Sequence, residues 1–268
     1  MTTKSRYQAP ALKKGLEILE LLAAATAPLN MSDISTALGR SVSEIFRMLQ
    51  VLEEHRYIAR GDDGYRLTNR LFALGMSQPP VRNLVGIALP VMSEVARRTG
   101  QSCHMAVASG AEMVVIVGVE APSLSGFAIR VGYRRPLHRS ASGRVLLAFQ
   151  SADVRQAMLD DVRLAGAAFA ALAAELDAIA AKGLHTTPSP VLNAITDMSV
   201  PILVMGSARA ALTVPFVDGP GARVTLDASQ AVLRHAAATI AEQLSPEVRD
   251  GLYQRVVDHG VPDAGSDG

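Results

Sequence analysis

The sequence predicts an α+β chain in two parts: a helical N-terminal region closed by a β-hairpin, then helices packed on an antiparallel sheet. Three observations predict this. Apolar residues recur at helical spacing through residues 11–52, and a series of short β-rich runs begins after residue 101. The cluster Gly61-Asp62-Asp63-Gly64 lies between two such β-rich pieces, a strong hairpin signal. The chain has 268 residues, 49% of them hydrophobic, enough for roughly two domains with buried cores.

Taken in order, residues 1–8 read as a polar, disordered tail, and the first domain as 9–76. Residues 11–25 (ALKKGLEILELLAAA) supply a first helix. Residues 31–52 (MSDISTALGRSVSEIFRMLQVL) read as two short helices about a turn at Gly39. Ser32 is placed to cap the first helix, and Ile34, Ala37 and Leu38 follow at helical spacing. Gly39 suits a left-handed stop, because it has no Cβ to clash. Ser41 or Ser43 caps the second helix. Ile45, Met48, Leu49 and Leu52 form its apolar face, opposite Ser43, Glu44, Arg47 and Gln50. Two strands follow, 57–60 and 65–67, with Arg60 and Arg66 near the ends of the hairpin. Any αα-hairpin shares the two helices and the glycine. The preceding helix and the hairpin make the order that of a winged helix-turn-helix, whose second helix lies in a DNA major groove.

Ser77-Gln78-Pro79-Pro80 breaks the chain, since paired prolines cannot continue a helix. Residues 83–98 then read as a linker helix, within a linker spanning 77–100, and Pro90 either kinks it or marks its start. The second domain is expected over 101–247. Runs at 102–109, 113–119 and 125–131 read as strands, with turns at Ser109-Gly110 and Ala121-Pro122. Residues 143–150, 151–160 and 165–182 read as helices, 195–203 and 208–216 as strands, and 229–244 as a final helix. Helices on an antiparallel sheet suit a sensor-type domain. Residues 248–268 read as a tail, disordered after about 259.

Composition narrows the function. The net charge is +1, from 26 basic and 25 acidic residues, which does not suit a histone-like binder but suits a sequence-specific one with a few local cations. One cysteine excludes an intramolecular disulfide and points to a reducing cytoplasm. The opening MTTKSRYQAP lacks the apolar core of a signal peptide. No apolar run reaches the roughly 20 residues a membrane span needs. There is no GxSxG elbow, no GxGxxG fingerprint and no phosphate loop, so catalysis is not expected, although Ser142, a histidine and Asp197 would be the pieces of a hydrolase triad. A winged helix that binds protein instead of DNA, in a sensor or adaptor, is the other alternative.

Four stretches in order, ALKKGLEILELLA, GRSVSEIFRMLQVLEEHRYI, VGYRRPLHRSASGRVLLA and SPVLNAITDMSVPILVMGSARAALTVP, resemble the IclR family of bacterial transcriptional regulators over nearly the whole chain. The resemblance implies a winged helix, a linker helix and a GAF-like effector-binding domain. It implies homo-dimers or homo-tetramers on palindromic operators, with a small organic acid adjusting DNA affinity. The family often has Leu-Pro after the turn glycine, and Thr, then Val and His, before the arginine of the recognition helix. Here Arg40-Ser41 and Glu44-Ile45-Phe46 stand there, so no known operator transfers.

The residues expected to touch DNA are Arg40, Ser41, Ser43, Glu44, Arg47, Arg60 and Arg66. An arginine in the major groove pairs with guanine O6 and N7, and hydroxyls reach phosphate. Glu44 is suited to accept from cytosine N4 or to orient Arg47. Arg60 and Arg66 suit phosphates. For the effector, Ser140-Ala141-Ser142-Gly143 precedes a helix expected to begin near Arg144, an anion-binding arrangement with two hydroxyls. The resemblance places Ala141 and Ser142 at effector contacts, and Thr187, Asp197 and Thr213 on the facing wall. A carboxylate there opposes an anion, so Asp197 is expected to bond a ligand hydroxyl or a nearby loop group. Cys103, His104, His138 and His185 match no metal-ligand spacing, so neither metal nor cofactor is expected, and His138 is assigned to ordering the ligand loop.

Overall fold

The computed structural model describes residues 9–77, 79–121, 127–162, 164–189, 195–219 and 222–258. The tails expected at 1–8 and after 259, and the Pro122 turn position, lie outside the described residues. The chain divides into two compact units between Arg82 and Asn83.

In the first unit, α1 (Pro10–Ala24), α2 (Met31–Leu38) and α3 (Val42–Glu54) precede β1 (Ile58–Gly61), β2 (Gly64–Leu67) and α4 (Arg70–Ser77). Ile18, Leu22, Ile34, Ile45, Leu49, Ile58 and Tyr65 form its core. The cap of α2 is not Ser32. Asn30 accepts from the Ser32 and Asp33 backbone N–H groups, and the Asp33 side chain accepts from the Asn30 N–H, a reciprocal capping box. Gly39 ends α2 in the left-handed conformation, at φ 59°. Strands β1 and β2 pair antiparallel about a two-residue Asp62-Asp63 turn. Gly64 is needed there: its φ is +130°, and a Cβ would lie 2.7 Å from the Leu29 carbonyl. Helix α4 was not expected from the sequence.

In the second unit, strands β3 (Cys103–Ser109), β4 (Glu112–Val119), β5 (Arg134–Pro136), β6 (His185–Pro188), β7 (Ile195–Val204) and β8 (Ser207–Val217) form one sheet in the order β5-β4-β3-β8-β7-β6. Every neighbouring pair is antiparallel. Its helices are α5 (Pro79–Thr99), of which residues from 83 belong to this unit, α6 (Ala141–Ala148), α7 (Ala152–Val162), α8 (Gly166–Lys182) and α9 (Leu226–Asp258). One face of the sheet buries Met198, Val200, Ile202, Leu212 and Val214 against Met92 and Val95 of α5 and Leu233 and Ile240 of α9. The other buries Ala106, Val115 and Ala211 against α6, α7 and α8.

Several expectations are corrected. The linker helix is no free spacer, because from Leu84 onward it is part of the second core. Pro90 does not mark its start: it lies on an exposed position inside α5. The strand expected at 125–131 is absent over 127–131, and 125–126 lie outside the described residues. The sheet edge is β5 instead, reached through Val115 N–H to Tyr133 O and Gly132 N–H to Val115 O hydrogen bonds. Strand β6 was missed. The backbone of α9 runs to Asp258, so the tail expected from 248 is helical at its start.

Candidate functional site

The first candidate is the outer face of α3 with the hairpin beside it. Ser41 caps α3 through its Oγ to the Glu44 N–H, and the Glu44 carboxylate accepts from the Ser41 N–H. Glu44 also takes an ion pair from Lys14 of α1. The Lys14 hydrogen bond, with those of Ser41, holds the Glu44 carboxyl down at about 2. Its carboxylate therefore fastens α3 to α1 and to its own cap, rather than orienting Arg47 as the sequence suggested. Arg40 is likewise tied back: its guanidinium pairs with Glu17 at 3.3 Å. Ser43 and Arg47 are exposed, as are Val42, Phe46 and Gln50. Ser43 Oγ lies 3.3 Å from Ser41 Oγ.

On the hairpin, Arg60 and Arg66 are both exposed. The Arg60 guanidinium stacks on the Tyr65 ring at 5.7 Å, and Arg66 leans toward Asp63 at 3.8 Å. The hairpin base adds two cations that the sequence reading missed. Arg56, in a left-handed conformation at φ 59°, and Arg70, stacked on Tyr57 at 5.4 Å, line a groove of about 600 Å³ with Arg60, Glu53 and Asn69. Both are visible as exposed arginines, but only the fold brings them to one groove.

The second candidate is the sheet face turned toward α6. Directly paired residues of antiparallel strands point to the same face. The register therefore aligns His185, Ser199, Thr213 and His104 in one row across β6, β7, β8 and β3. The next row carries Thr187, Asp197 and Pro215. Helix α6 packs across these strands. The fold thus gathers Thr187, Asp197 and Thr213 on one face, with Ala141 and Ser142 on the helix that covers it. Helix α6 begins at Ala141, three residues earlier than expected. Ser140 is its N-cap, its Oγ accepting from the Gly143 N–H at 3.1 Å, so that hydroxyl is committed to the helix. Gly143 is obligatory: a Cβ would lie 2.2 Å from the Leu137 carbonyl oxygen.

Ser199 and Thr213 share a buried hydrogen bond of 2.9 Å. Among the described residues, His104 Nδ1, His138 Nδ1 and His185 Nε2 are buried without a hydrogen-bond partner. Burial pushes the His104 imidazole down to about 4. Burial also lowers His185, against the pull of Glu175, and lowers His138, with Arg139 and Arg144 adding to the effect. Asp197 is raised by burial, which a Ser189 hydrogen bond and the Arg135 charge oppose. Arg144 bonds the His138 carbonyl at 3.0 Å and the Glu175 carboxylate at 2.9 Å, holding the loop before α6 against α8. Among the described residues no three histidine, cysteine or acidic side chains group as metal ligands, and no helix is long and apolar enough to cross a membrane.

Two family models match the chain: the IclR helix-turn-helix domain over residues 11–62, and the bacterial transcriptional regulator IclR C-terminal domain over residues 80–245. The HTH-type transcriptional regulator XynR of Escherichia coli K12 is 30% identical over 152 residues, 56% of this chain and 60% of that protein. The probable transcriptional regulator SauR of Cupriavidus necator is 27% identical over 231 residues, 83% of this chain and 91% of that one. The match to XynR thus spans under two thirds of that relative. An IclR homolog from Microbacterium hydrocarbonoxydans, solved in complex with 4-hydroxybenzoate, has a TM-score of 0.72 at 26% identity, covering 87% of this chain and 98% of that one. HmgR of Pseudomonas aeruginosa shares the fold, with a TM-score of 0.68 at 22% identity, over 88% of this chain and 100% of that one.

Proposed function

Because this chain belongs to the IclR family of bacterial transcriptional regulators, we propose that it holds double-stranded operator DNA through α3 and the hairpin, and that a small organic acid on the α6-facing sheet face adjusts that hold. It acts in the cytoplasm as a homo-dimer or homo-tetramer and governs catabolic genes. The observation that carries this reading is the pairing of two features in one chain. One is a capped, pinned α3 that presents Ser43, Arg47 and Gln50 outward. The other is a sheet face, packed against α6, on which His104 Nδ1 is buried without a hydrogen-bond partner.

The geometry supports the following roles. Arg47 is the base reader. Ser41 and Ser43 approach phosphate, and Arg60 and Arg66 lie along the backbone, joined by Arg56 and Arg70 at the hairpin base. The first turn of α6, with Ala141 and Ser142, offers positive helix potential to a carboxylate. Thr187, Thr213 and the raised carboxyl of Asp197 suit a hydroxyl on the same ligand. The Microbacterium homolog's 4-hydroxybenzoate has both groups, so a hydroxylated organic acid is the class proposed here.

Fluorescence anisotropy of the full chain with its own upstream intergenic DNA, at two salt concentrations, tests the DNA reading. Counterion release requires affinity to fall steeply with salt. Affinity that ignores salt, or no binding at all, overturns it. A thermal-shift panel of small organic acids that includes 4-hydroxybenzoate tests the sensor, since a ligand of the native state raises the melting temperature. No rise with any acid overturns the effector class.

A further inference from the structure

Helix α3 carries an apolar side chain where a polar reader would be expected. Phe46 is 43% exposed, with Val42 one turn before it at 49%. Helical geometry places Ser43, Phe46, Arg47 and Gln50 within one arc of about 100°, opposite the core residues Ile45, Met48, Leu49 and Leu52. A lone exposed apolar residue is ordinary on a protein surface. Phe46 differs in its company: it shares the outward arc with the side chains that remain free to read DNA. Two other polar groups at this end of the helix are withdrawn, Arg40 to Glu17 and Glu44 to Lys14.

A phenyl ring neither donates nor accepts a conventional hydrogen bond, so it has nothing to offer phosphates or base amides. The major groove offers one apolar group, the C5-methyl of thymine. We infer that Phe46 is a specificity-determining residue whose ring packs on a thymine methyl, beside the hydrogen-bonding contacts of Arg47 and Gln50. The inference rests on the DNA-reading role of α3 proposed above. It assigns the Glu44-Ile45-Phe46 departure a chemical consequence: each half-site carries a required thymine next to the base read by Arg47.

The test starts from duplexes selected by the full-length protein from a random library. Each thymine of the selected site is then replaced singly by uracil, which removes only the methyl. Wild-type protein should lose about four-fold affinity at one thymine per half-site, the factor set by burying one methyl group. Phe46→Ala should bind the parent duplex more weakly and treat thymine and uracil alike at that position, while keeping its discrimination at the base read by Arg47. Phe46→Leu, which retains apolar bulk, should keep part of the thymine preference and guards against a folding artefact. Wild-type indifference to every uracil, or an unchanged thymine-to-uracil ratio in Phe46→Ala, overturns the inference and leaves the DNA reading intact. No enrichment of any duplex overturns both.

Discussion

Replacing His104 with glutamine removes a titration that folding opposes. His104 is 5% exposed and its Nδ1 has no partner, so protonation would bury an unsolvated cation. Its pKa falls from 6.5 to about 4 on folding. Protonation therefore favours the unfolded chain. Stability is full above pH 6.5, declines as pH falls, and reaches its lower limit below about pH 4. At about 1.4 kcal/mol per unit, a difference of 6.5 minus about 4 amounts to about 3 kcal/mol. Guanidinium unfolding of wild type and His104→Gln, followed by circular dichroism in steps between about pH 7.5 and 4.5, isolates the effect in the difference between the curves. His138 and His185 titrate in both proteins and cancel. Because the chain has two units, the transition of the second unit is the one compared. Wild type should lose about 2 kcal/mol relative to the variant by about pH 4.5. Parallel curves would show that the imidazole is solvated or partnered in the native state, and the reasoning would fail.

Gly143→Ala drives a methyl into the Leu137 backbone. It should cost about 3 kcal/mol and lower the melting temperature by roughly 6–12 °C, and an unchanged melt would refute the close approach. Ser41→Ala removes the α3 cap and should cost about 1 kcal/mol in a thermal melt. Ser43→Ala, which caps nothing, should leave the melt unmoved, and equal losses would misassign the cap. Lys14→Ala should let the Glu44 carboxyl rise from about 2 toward 4.5, read by a carboxyl-carbon NMR titration. Glu44 contributes stability above pH 4.5 that fades as pH falls toward 2, so the variant's acid limb should be shallower and finish at higher pH. A Glu44 pKa that stays put would assign the depression to the Ser41 cap alone.

What the sequence disclosed depended on range. Gly39, Ser41 and the Asp/Gly hairpin turn act through neighbours a few residues away, and each stands where the local pattern put it. The Asn30 cap is equally local, one residue ahead of the Met31–Leu52 pattern, and Ser32 offered a rival hydroxyl beside it. Strands β5 and β6 are three and four residues long and end in proline, too short to display alternation. The run 125–131 shows alternation at Phe127, Ile129 and Val131, yet β4 pairs with 134–136. The withdrawal of Glu44 and Arg40 depends on Lys14 and Glu17, 30 and 23 residues away, and no local pattern encodes those pairs. The histidine row was out of reach for the same reason. His104 and His185 share a face only because β3, β8, β7 and β6 settle into one register.

The hairpin keeps its positive charge on its strands and its negative charge at its tip, where Asp62 and Asp63 are both exposed. The minor groove is the most electronegative path along many duplexes, most of all where A-tracts narrow it. Two carboxylates on a turn would be repelled from it, while the proposed roles of Arg60 and Arg66 draw them to the flanking phosphates. In the DNA complex proposed above, such a hairpin would ride the rim of the duplex instead of probing its floor. On that reading, groove width at the flanks would contribute little to the choice of site, and discrimination would fall back on what α3 reads from base edges.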